Sequence, residues 1–461
     1  MLGCRRIQTA LDVARAKPES SGEEGTMYES FSPPRIYVCN DIATDPDAQT
    51  RADRILAAYP DSEIVPFDRE DVADLILRHG LGNKRPRMGI RDVGPPSLFL
   101  TLAQFTGPDE NNEEVQAILA RNPAVDRRMV LFLLGLYPWH GVWLGGLKHE
   151  GRITMGGDMV CRPAWRLNTM LGCPHHCVYC AFGELIPMYV NMGAYCKRLA
   201  DLMAANPWQQ TYLYDDAAEA LFPEPALGAI EGMIECCKQF PDRHLVIHTK
   251  SANVDFLRDL DHQGRCTMTW SLTSSLQSRE AEPFSATMEE RVEAARKCAS
   301  WGYPVRVKFK PIVPFAGWRD HAREMIRQIL AVKLDNISLF TIAWMDVDDL
   351  KTCFPVELLD QGFLKAAEDA KEEMKTRSVK PYPHHVRAEI YRFYIQEIRA
   401  INPDVPITLC TEAPDMWEEL APLVGQKPRD FVCGCGPMTS PGLGCLRADP
   451  WRDVKPVSVW D

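Results

Sequence analysis

The 461-residue sequence lacks any excess of positive charge: 52 Lys and Arg stand against 63 Asp and Glu, for a formal net charge of −11. Affinity for duplex nucleic acid draws heavily on a basic surface that neutralises phosphates, so the overall balance counts against such a partner. It also lacks an apolar leader. Met1 to Lys17 carries Arg5, Arg6, Arg15 and Lys17 with no continuous apolar segment, unlike a secretory signal. Long hydrophobic runs are scarce as well. The one uncharged, mostly apolar stretch, Met129 to Leu147, is interrupted by Pro138, His140 and glycines, and reads as a buried strand-and-turn region rather than a membrane span. No internal repeat or long low-complexity segment is present.

What is there is an ordinary globular composition, 46% hydrophobic and 25% charged, in a chain long enough for two or three domains. Sixteen cysteines without a secretory leader point to a reducing cytoplasm, where thiols serve metals rather than disulfides. Residues 1–32 are polar and read as a disordered tail. Strand and helix patterns from Arg35-Ile-Tyr-Val-Cys39 onward define a small N-terminal α/β domain over 33–150, in which Lys84-Arg-Pro-Arg87 reads as a solvated turn. From Arg166 strands and helices alternate six times, the pattern of parallel βαβ units, which sets a second domain over 160–345. Residues 346–461 form a helical, then Gly-, Pro- and Cys-rich, C-terminal region.

The densest chemistry lies in Leu171–Phe182, L-G-C-P-H-H-C-V-Y-C-A-F, which puts Cys173, Cys177 and Cys180 in a C-x3-C-x2-C triplet. Three thiols this close do not make two structural disulfides, and a shared inorganic centre is the natural reading. Thiolates are the soft donors that select zinc or iron–sulfur clusters. A closed structural zinc wants four protein ligands, which His175 or His176 would have to complete. Three thiolates on one short loop suit a cubane whose fourth iron stays open, and three unrelated core cysteines are the remaining reading. Arg166–Gly172 leads in as a strand, Gly172 permits a sharp exit and Pro174 stiffens the loop.

This segment closely resembles the signature of the radical SAM superfamily, including the aromatic before the last cysteine, here Tyr179. The resemblance implies a partial (β/α)6 barrel preceded by the small α/β domain, with its chemistry at the strand C-terminal ends. It further implies a [4Fe–4S] cluster on Cys173, Cys177 and Cys180, S-adenosylmethionine bound at the open iron, and hydrogen abstraction by a 5′-deoxyadenosyl radical. An electron donor such as flavodoxin or ferredoxin is implied too. His248-Thr-Lys250, Trp270-Ser271, Arg291-Val-Glu-Ala-Ala295, Gly302-Tyr-Pro304 and Pro311-Ile-Val resemble the spore photoproduct lyase branch, from about Ile36 to Ala343. There Lys250 and Ser271 match residues that hold the cofactor carboxylate, a role suited to an ammonium and a hydroxyl at successive strand ends.

The branch reverses a thymine dimer of spore DNA, using a cysteine after the second barrel strand to return a hydrogen atom and a tyrosine after the third cluster cysteine. This chain has Ala217 and Ala181 at those places. The expectation is therefore a radical SAM enzyme acting on a different substrate. A DNA repair lyase is the alternative, and a non-catalytic metal-cluster scaffold a third. Asp215, Asp216 and Glu219 end the second strand, where a carboxylate suits the cofactor amino group or substrate and a helix cap is the competing reading. Tyr179, Asp215 and Asp216 are the candidate catalytic residues. Cys410, Cys433, Cys435 and Cys445 suit an auxiliary iron–sulfur cluster or zinc, against a reading as buried thiols. Cys161 has no decisive spacing, and Cys196, Cys236, Cys237 and Cys298 read as core.

Overall fold

The computed structural model describes residues 31–83, 94–106, 112–142, 159–161, 164–180, 185–215, 217–426, 433–435, 457 and 459. The expected N-terminal tail up to residue 30, Lys84–Arg87, Asp216, Ala181 and Cys445 lie outside them. Among the described residues are twelve strands. The first six are β1 (Arg35–Cys39), β2 (Glu63–Phe67), β3 (Ser97–Thr101), β4 (Trp139–Val142), β5 (Ala164–Leu167) and β6 (Leu185–Tyr189). The others are β7 (Thr211–Tyr214), β8 (His244–Thr249), β9 (Cys266–Leu272), β10 (Val305–Ile312), β11 (Asn336–Thr341) and β12 (Ile407–Leu409).

Two sheets result. A four-stranded parallel sheet has the order β2-β1-β3-β6, and an eight-stranded sheet the order β12-β11-β10-β9-β8-β7-β5-β4. In the larger sheet every neighbour pair is parallel except β4 with β5. The six strands from β5 to β11 are thus the expected partial barrel, extended by β12 at one edge and β4 at the other. Helices return the chain between them: α1 (Met192–Ala205), α2 (Ala229–Lys238), α3 (Ser275–Ala281), α4 (Met288–Ser300) and α5 (Trp318–Ile329), followed by α6 (His384–Ile401) and α7 (Pro414–Val424). The start of α4 is written in T-M-E-E: the Thr287 hydroxyl accepts from Glu290 N at 3.2 Å while the Glu290 carboxylate accepts from Thr287 N at 2.7 Å.

Several expectations need correction. Residues 129–147 begin not as strand but inside a helix, Arg127–Leu133, whose buried face covers Met129 to Leu133, and only then enter β4. An apolar run this short has no period that separates the two states. Between β8 and β9 the expected helical return is reduced to one 3-10 turn at Asp255–Leu257. The strand before the cysteine loop is shorter than expected and stops at Leu167. Strand β6 is absent from the sequence-level reading because Pro187 sits in its middle. It is allowed there because β6 is an edge strand, and the same holds for Pro66 in β2.

That edge strand matters for the site. After the cysteine loop the chain leaves the barrel, adds β6 to the first sheet, and re-enters through α1. Leu171 N donates to Pro187 O at 3.3 Å and Tyr189 N to Thr169 O at 2.8 Å, so β6 clamps the base of the loop. No helix among the described residues is long and apolar enough to cross a membrane.

Candidate active site

The loop leaves β5 through a turn at Gly172, whose φ of 84° is costly for any residue with a Cβ. Gly172 N donates to Ala217 O at 3.1 Å, fastening the loop to the end of β7. Farther along, Val178 N donates to Ala281 O at 3.0 Å, and Trp344 Nε1 to Tyr179 O at 3.2 Å. Held at these points, Cys173, Cys177 and Cys180 line one cavity of about 640 Å³ at the C-terminal ends of the barrel strands. Lys250, just past β8, and Ser271, near the end of β9, line it as well, as does Ala217. A separate cavity of about 370 Å³, between Glu373–Val379, α6 and α7, contains none of the nominated residues.

Burial pushes the Cys177 thiol up to about 12. The Cys173 thiol is also raised, first by burial and then by the neighbouring sulfurs of Cys180 and Cys177. A metal ligand must lose its proton, so a bound cluster would displace the protons that burial holds on these sulfurs. Three soft donors on one cavity wall, opposite a cation and a hydroxyl, fit a thiolate-held cluster with a cofactor beside it. His175 lines the same cavity, with Nδ1 3.6 Å from Glu219, whereas the ring of His176 packs edge-on against Phe284. Among the described residues no three His, Cys, Asp or Glu side chains are arranged to hold a single metal ion, which applies equally to Cys173, Cys177 and Cys180 and to the Cys410, Cys433 and Cys435 of the expected auxiliary zinc or cluster.

Glu282 escaped the sequence reading and is the hub of the site. It is 1% exposed and follows α3. One carboxylate oxygen accepts from Lys250 Nζ at 2.6 Å and from the Tyr179 hydroxyl; the other pairs with Arg291 and accepts from Thr273 Oγ1 at 3.1 Å. Burial works to raise its pKa, but Arg291 and Lys250 win and hold the carboxyl down at about 2. Nothing in R-E-A-E-P marks this glutamate out, whereas its partner Arg291 belongs to a quoted motif. Tyr179 hydrogen-bonds Lys250 and places its ring 4.9 Å from that ammonium. Lys250 therefore reaches the cavity with its orientation set by Glu282 and Tyr179.

Glu219 serves the same wall from below, accepting from Lys250 N at 2.9 Å and from the Thr249 hydroxyl. Asp215, by contrast, is turned into the protein. It accepts from Thr169 N at 2.9 Å, Thr169 Oγ1 at 2.6 Å and Met170 N at 3.3 Å, and burial lifts its carboxyl to about 7 against those bonds. It ties the end of β7 to the segment that launches the cysteine loop. Replacing Asp215 by Ala strands these buried donors, for an expected loss of about 1–3 kcal/mol per unmade bond. Urea unfolding measures it, and an unchanged midpoint would remove the anchoring role.

A second signal was present and missed. In β10, V-R-V-K-F-K-P-I, Arg306, Lys308 and Lys310 alternate with Val305, Val307 and Phe309, so period two puts three cations on one face. Lys308 and Lys310 line the cavity, together with Arg128 and Arg166. The remaining nominated thiols gather behind Lys308: Cys410, Cys433 and Cys435 line a tight space with Cys161, which the sequence had not joined to them.

Residues 163–347 match the family model described as spore photoproduct lyase. Spore photoproduct lyase of Geobacillus sp. (strain Y412MC61) is 25% identical over 215 residues, 44% of this chain and 62% of that protein. The enzyme of Bacillus subtilis (strain 168) is 26% identical over 171 residues, 34% of this chain and 48% of that protein. The chain thus spans less than two thirds of the length of either relative. A solved spore photoproduct lyase complexed with dinucleoside spore photoproduct superposes with a TM-score of 0.55 at 14% identity, over 83% of this chain and 99% of that one. At that identity the likeness concerns the fold. The domain match, the relatives and the shared fold agree with the resemblance read from the sequence: residues 163–347 are similar to spore photoproduct lyase, and the fold is that of solved spore photoproduct lyases.

Proposed function

We propose that the protein is a radical SAM enzyme that cleaves S-adenosylmethionine reductively to begin radical chemistry on a substrate held in the barrel. The observation that carries this reading is the convergence of Cys173, Cys177, Cys180, Lys250 and Ser271 on one cavity. When bound, a [4Fe–4S] cluster with S-adenosylmethionine supplies a 5′-deoxyadenosyl radical that abstracts a hydrogen atom. The three cysteines would hold the cluster. Lys250, oriented by Glu282 and Tyr179, and the Ser271 hydroxyl would take the cofactor carboxylate. The buried loop and Tyr179, packed against Trp344 and Phe354, would exclude water from the reacting atoms. A small reductase such as flavodoxin or ferredoxin would deliver the electron.

For the cofactor wall, Lys250→Ala and Ser271→Ala are each expected to weaken S-adenosylmethionine binding by about 1–3 kcal/mol, the range of a charge-assisted contact, without loss of iron. Isothermal titration beside an iron assay reads both quantities. Unchanged affinity in both variants would reduce these residues to structural parts.

A second reading, DNA repair of the spore photoproduct lyase type, draws support from charge. In a chain of net −11, Arg128, Arg166, Lys250, Lys308 and Lys310 line the cavity against Asp126 and Glu219. Against it stands Ala217 on the cavity wall, which has no weak S–H bond to offer a product radical. The reconstituted protein, given S-adenosylmethionine and dithionite, is expected to release 5′-deoxyadenosine yet to repair dinucleoside spore photoproduct poorly, with repair rising in Ala217→Cys. Efficient repair by the unmodified protein would make the second reading the first; no 5′-deoxyadenosine under any condition would sink both.

A further inference from the structure

The cofactor wall occupies β8 and β9, through Lys250 and Ser271, and cations stand on the strands to either side of it. Arg166 belongs to β5, whose neighbour β7 leads to Ala217, and Lys310 belongs to β10, the neighbour of β9. In β5 Trp165 and Leu167 are buried in the core, so Arg166 between them faces the other way, into the cavity. Val307 and Phe309 of β10 are buried likewise, and Lys310 lines the cavity from the opposite face. Both cations are half-buried, so their charge is directed at whatever fills the cavity rather than at open solvent. Lys310 Nζ stands 4.9 Å from the Phe340 ring, which attracts an ammonium without carrying a full charge of its own.

The carboxylates of the same cavity are already engaged. Among the described residues that line it these are Asp126 and Glu219. Asp126 accepts from Arg128 N at 2.8 Å, capping the helix Arg127–Leu133, and lies 3.5 Å from Arg128 Nε. Glu219 accepts from Lys250 N at 2.9 Å and Leu221 N at 3.3 Å, and from the Thr249 hydroxyl. Gathering cations around a cavity costs free energy that an anion inside it recovers. The exterior is arranged differently. Exposed Arg78, Arg296, Arg327, Lys365 and Lys375 each pair with an acid three or four residues away. A polyanion such as DNA is held by a basic exterior, whereas here the basic groups line a cavity of about 640 Å³, the size of a small-molecule site.

Resting on the proposed radical SAM reading of this cavity, we propose that its substrate is a small molecule bearing a carboxylate or phosphate group, gripped by Arg166 and attracted from the other flank by Lys310. Arg166 is the anchor because it stands opposite Leu213 of β7, the strand that leads to Ala217. Its planar fork of parallel N–H donors matches the paired oxygens of either acid. An anion on that fork places the rest of the molecule beside Ala217 and the cofactor wall, inside the cavity. Lys310 adds a second charge that is less demanding in direction. Neither residue takes part in the radical step; together they select an anionic substrate over a neutral one of the same shape.

The test uses the full-length, cluster-loaded protein saturated with S-adenosylmethionine and kept without reductant, so that the cofactor carboxylate fills the Lys250–Ser271 wall and no cleavage occurs. Isothermal titration is run with malonate, inorganic phosphate, neutral malonamide and a short single-stranded thymidylate. Malonate or phosphate is expected to bind at a single site, malonamide not at all, and the oligonucleotide more weakly than the small anion. Arg166→Gln and Lys310→Met should each weaken the small anion about tenfold or more, the loss of one charge-assisted contact. Arg166→Lys keeps the charge without the fork and should lose less. S-adenosylmethionine affinity should hold its wild-type value in all three, which separates loss of the anion site from general damage; if Arg166→Gln fails to fold, Arg166→Lys and Lys310→Met decide. No saturable anion site, equal affinity for malonate and malonamide, or unchanged anion affinity in the variants would overturn the proposal. So would oligonucleotide binding that is the tightest of the four and falls in the same variants, which would make nucleic acid the substrate. Dithionite is then added and 5′-deoxyadenosine measured: an anion site without its release strikes the proposed function alone, and release without an anion site strikes this proposal alone.

Discussion

Replacing Cys173, Cys177 and Cys180 together by Ala is expected to remove the iron and the broad visible absorption of an anaerobically reconstituted sample, and to reduce 5′-deoxyadenosine release to background. The expectation rests on the loop being a preformed donor set. Gly172, Val178 and Tyr179 are each fastened by backbone contacts that do not involve the sulfurs, so the loop should persist without them. The protein should therefore stay folded while its chemistry disappears. Far-ultraviolet circular dichroism separates the two effects. Retained 5′-deoxyadenosine formation in the triple variant would refute the assignment of the centre. A single Cys→Ala change is expected to cost nearly as much, because a cubane with one protein ligand fewer is labile.

The second large effect concerns Glu282. Its carboxylate compensates two cations, Lys250 at 2.6 Å and the fully buried Arg291, and replacing it by Ala leaves Arg291 as an uncompensated buried charge. Breaking one side of a buried pair costs about 3–5 kcal/mol, a large share of the stability of a domain. Glu282→Gln keeps the shape and some hydrogen bonds and should cost less. The pH dependence follows from the depressed pKa. With the folded value near 2 and the unfolded value near the ordinary 4.5 of a glutamate, the stabilisation is complete above the unfolded value and is lost as pH falls toward the folded one. Thermal unfolding of the wild-type chain should therefore show an acid-dependent loss between those limits that Glu282→Gln lacks. Identical acid profiles would show that the carboxylate is not the hub described. S-adenosylmethionine affinity should fall in both variants, since Lys250 loses the partner that aims it.

The cysteine loop was legible in the sequence because its three cysteines lie within eight residues, where spacing alone restricts geometry. The barrel strands and α4 were legible for a similar reason: strand alternation and a capping box are local signals. Lys250 and Ser271 were legible through motif resemblance, and the fold puts both on the cavity. Asp215 was legible as a strand-end carboxylate, but its direction was not. A φ of 44° at that residue accompanies a side chain turned toward Thr169 rather than the cavity.

Only the tertiary structure decided the rest, and the physical reason is that each remaining feature depends on contacts between distant residues. Strand β6 has a proline where a strand signal should be strongest, and becomes a strand because the edge of the first sheet is open beside it. Glu282 is one of many glutamates until Arg291, Lys250 and Tyr179 close around it. Cys161 acquires meaning when β12 and the C-terminal C-G-C bring Cys410, Cys433 and Cys435 to its side. Lys308 could be placed by period two on the inner face of β10. That the Cys435 sulfur rather than a carboxylate lies beside it is decided by which chain segment packs there. Local spacing determined the cysteine loop, and burial, which forces every interior charge to find a partner, determined what surrounds it.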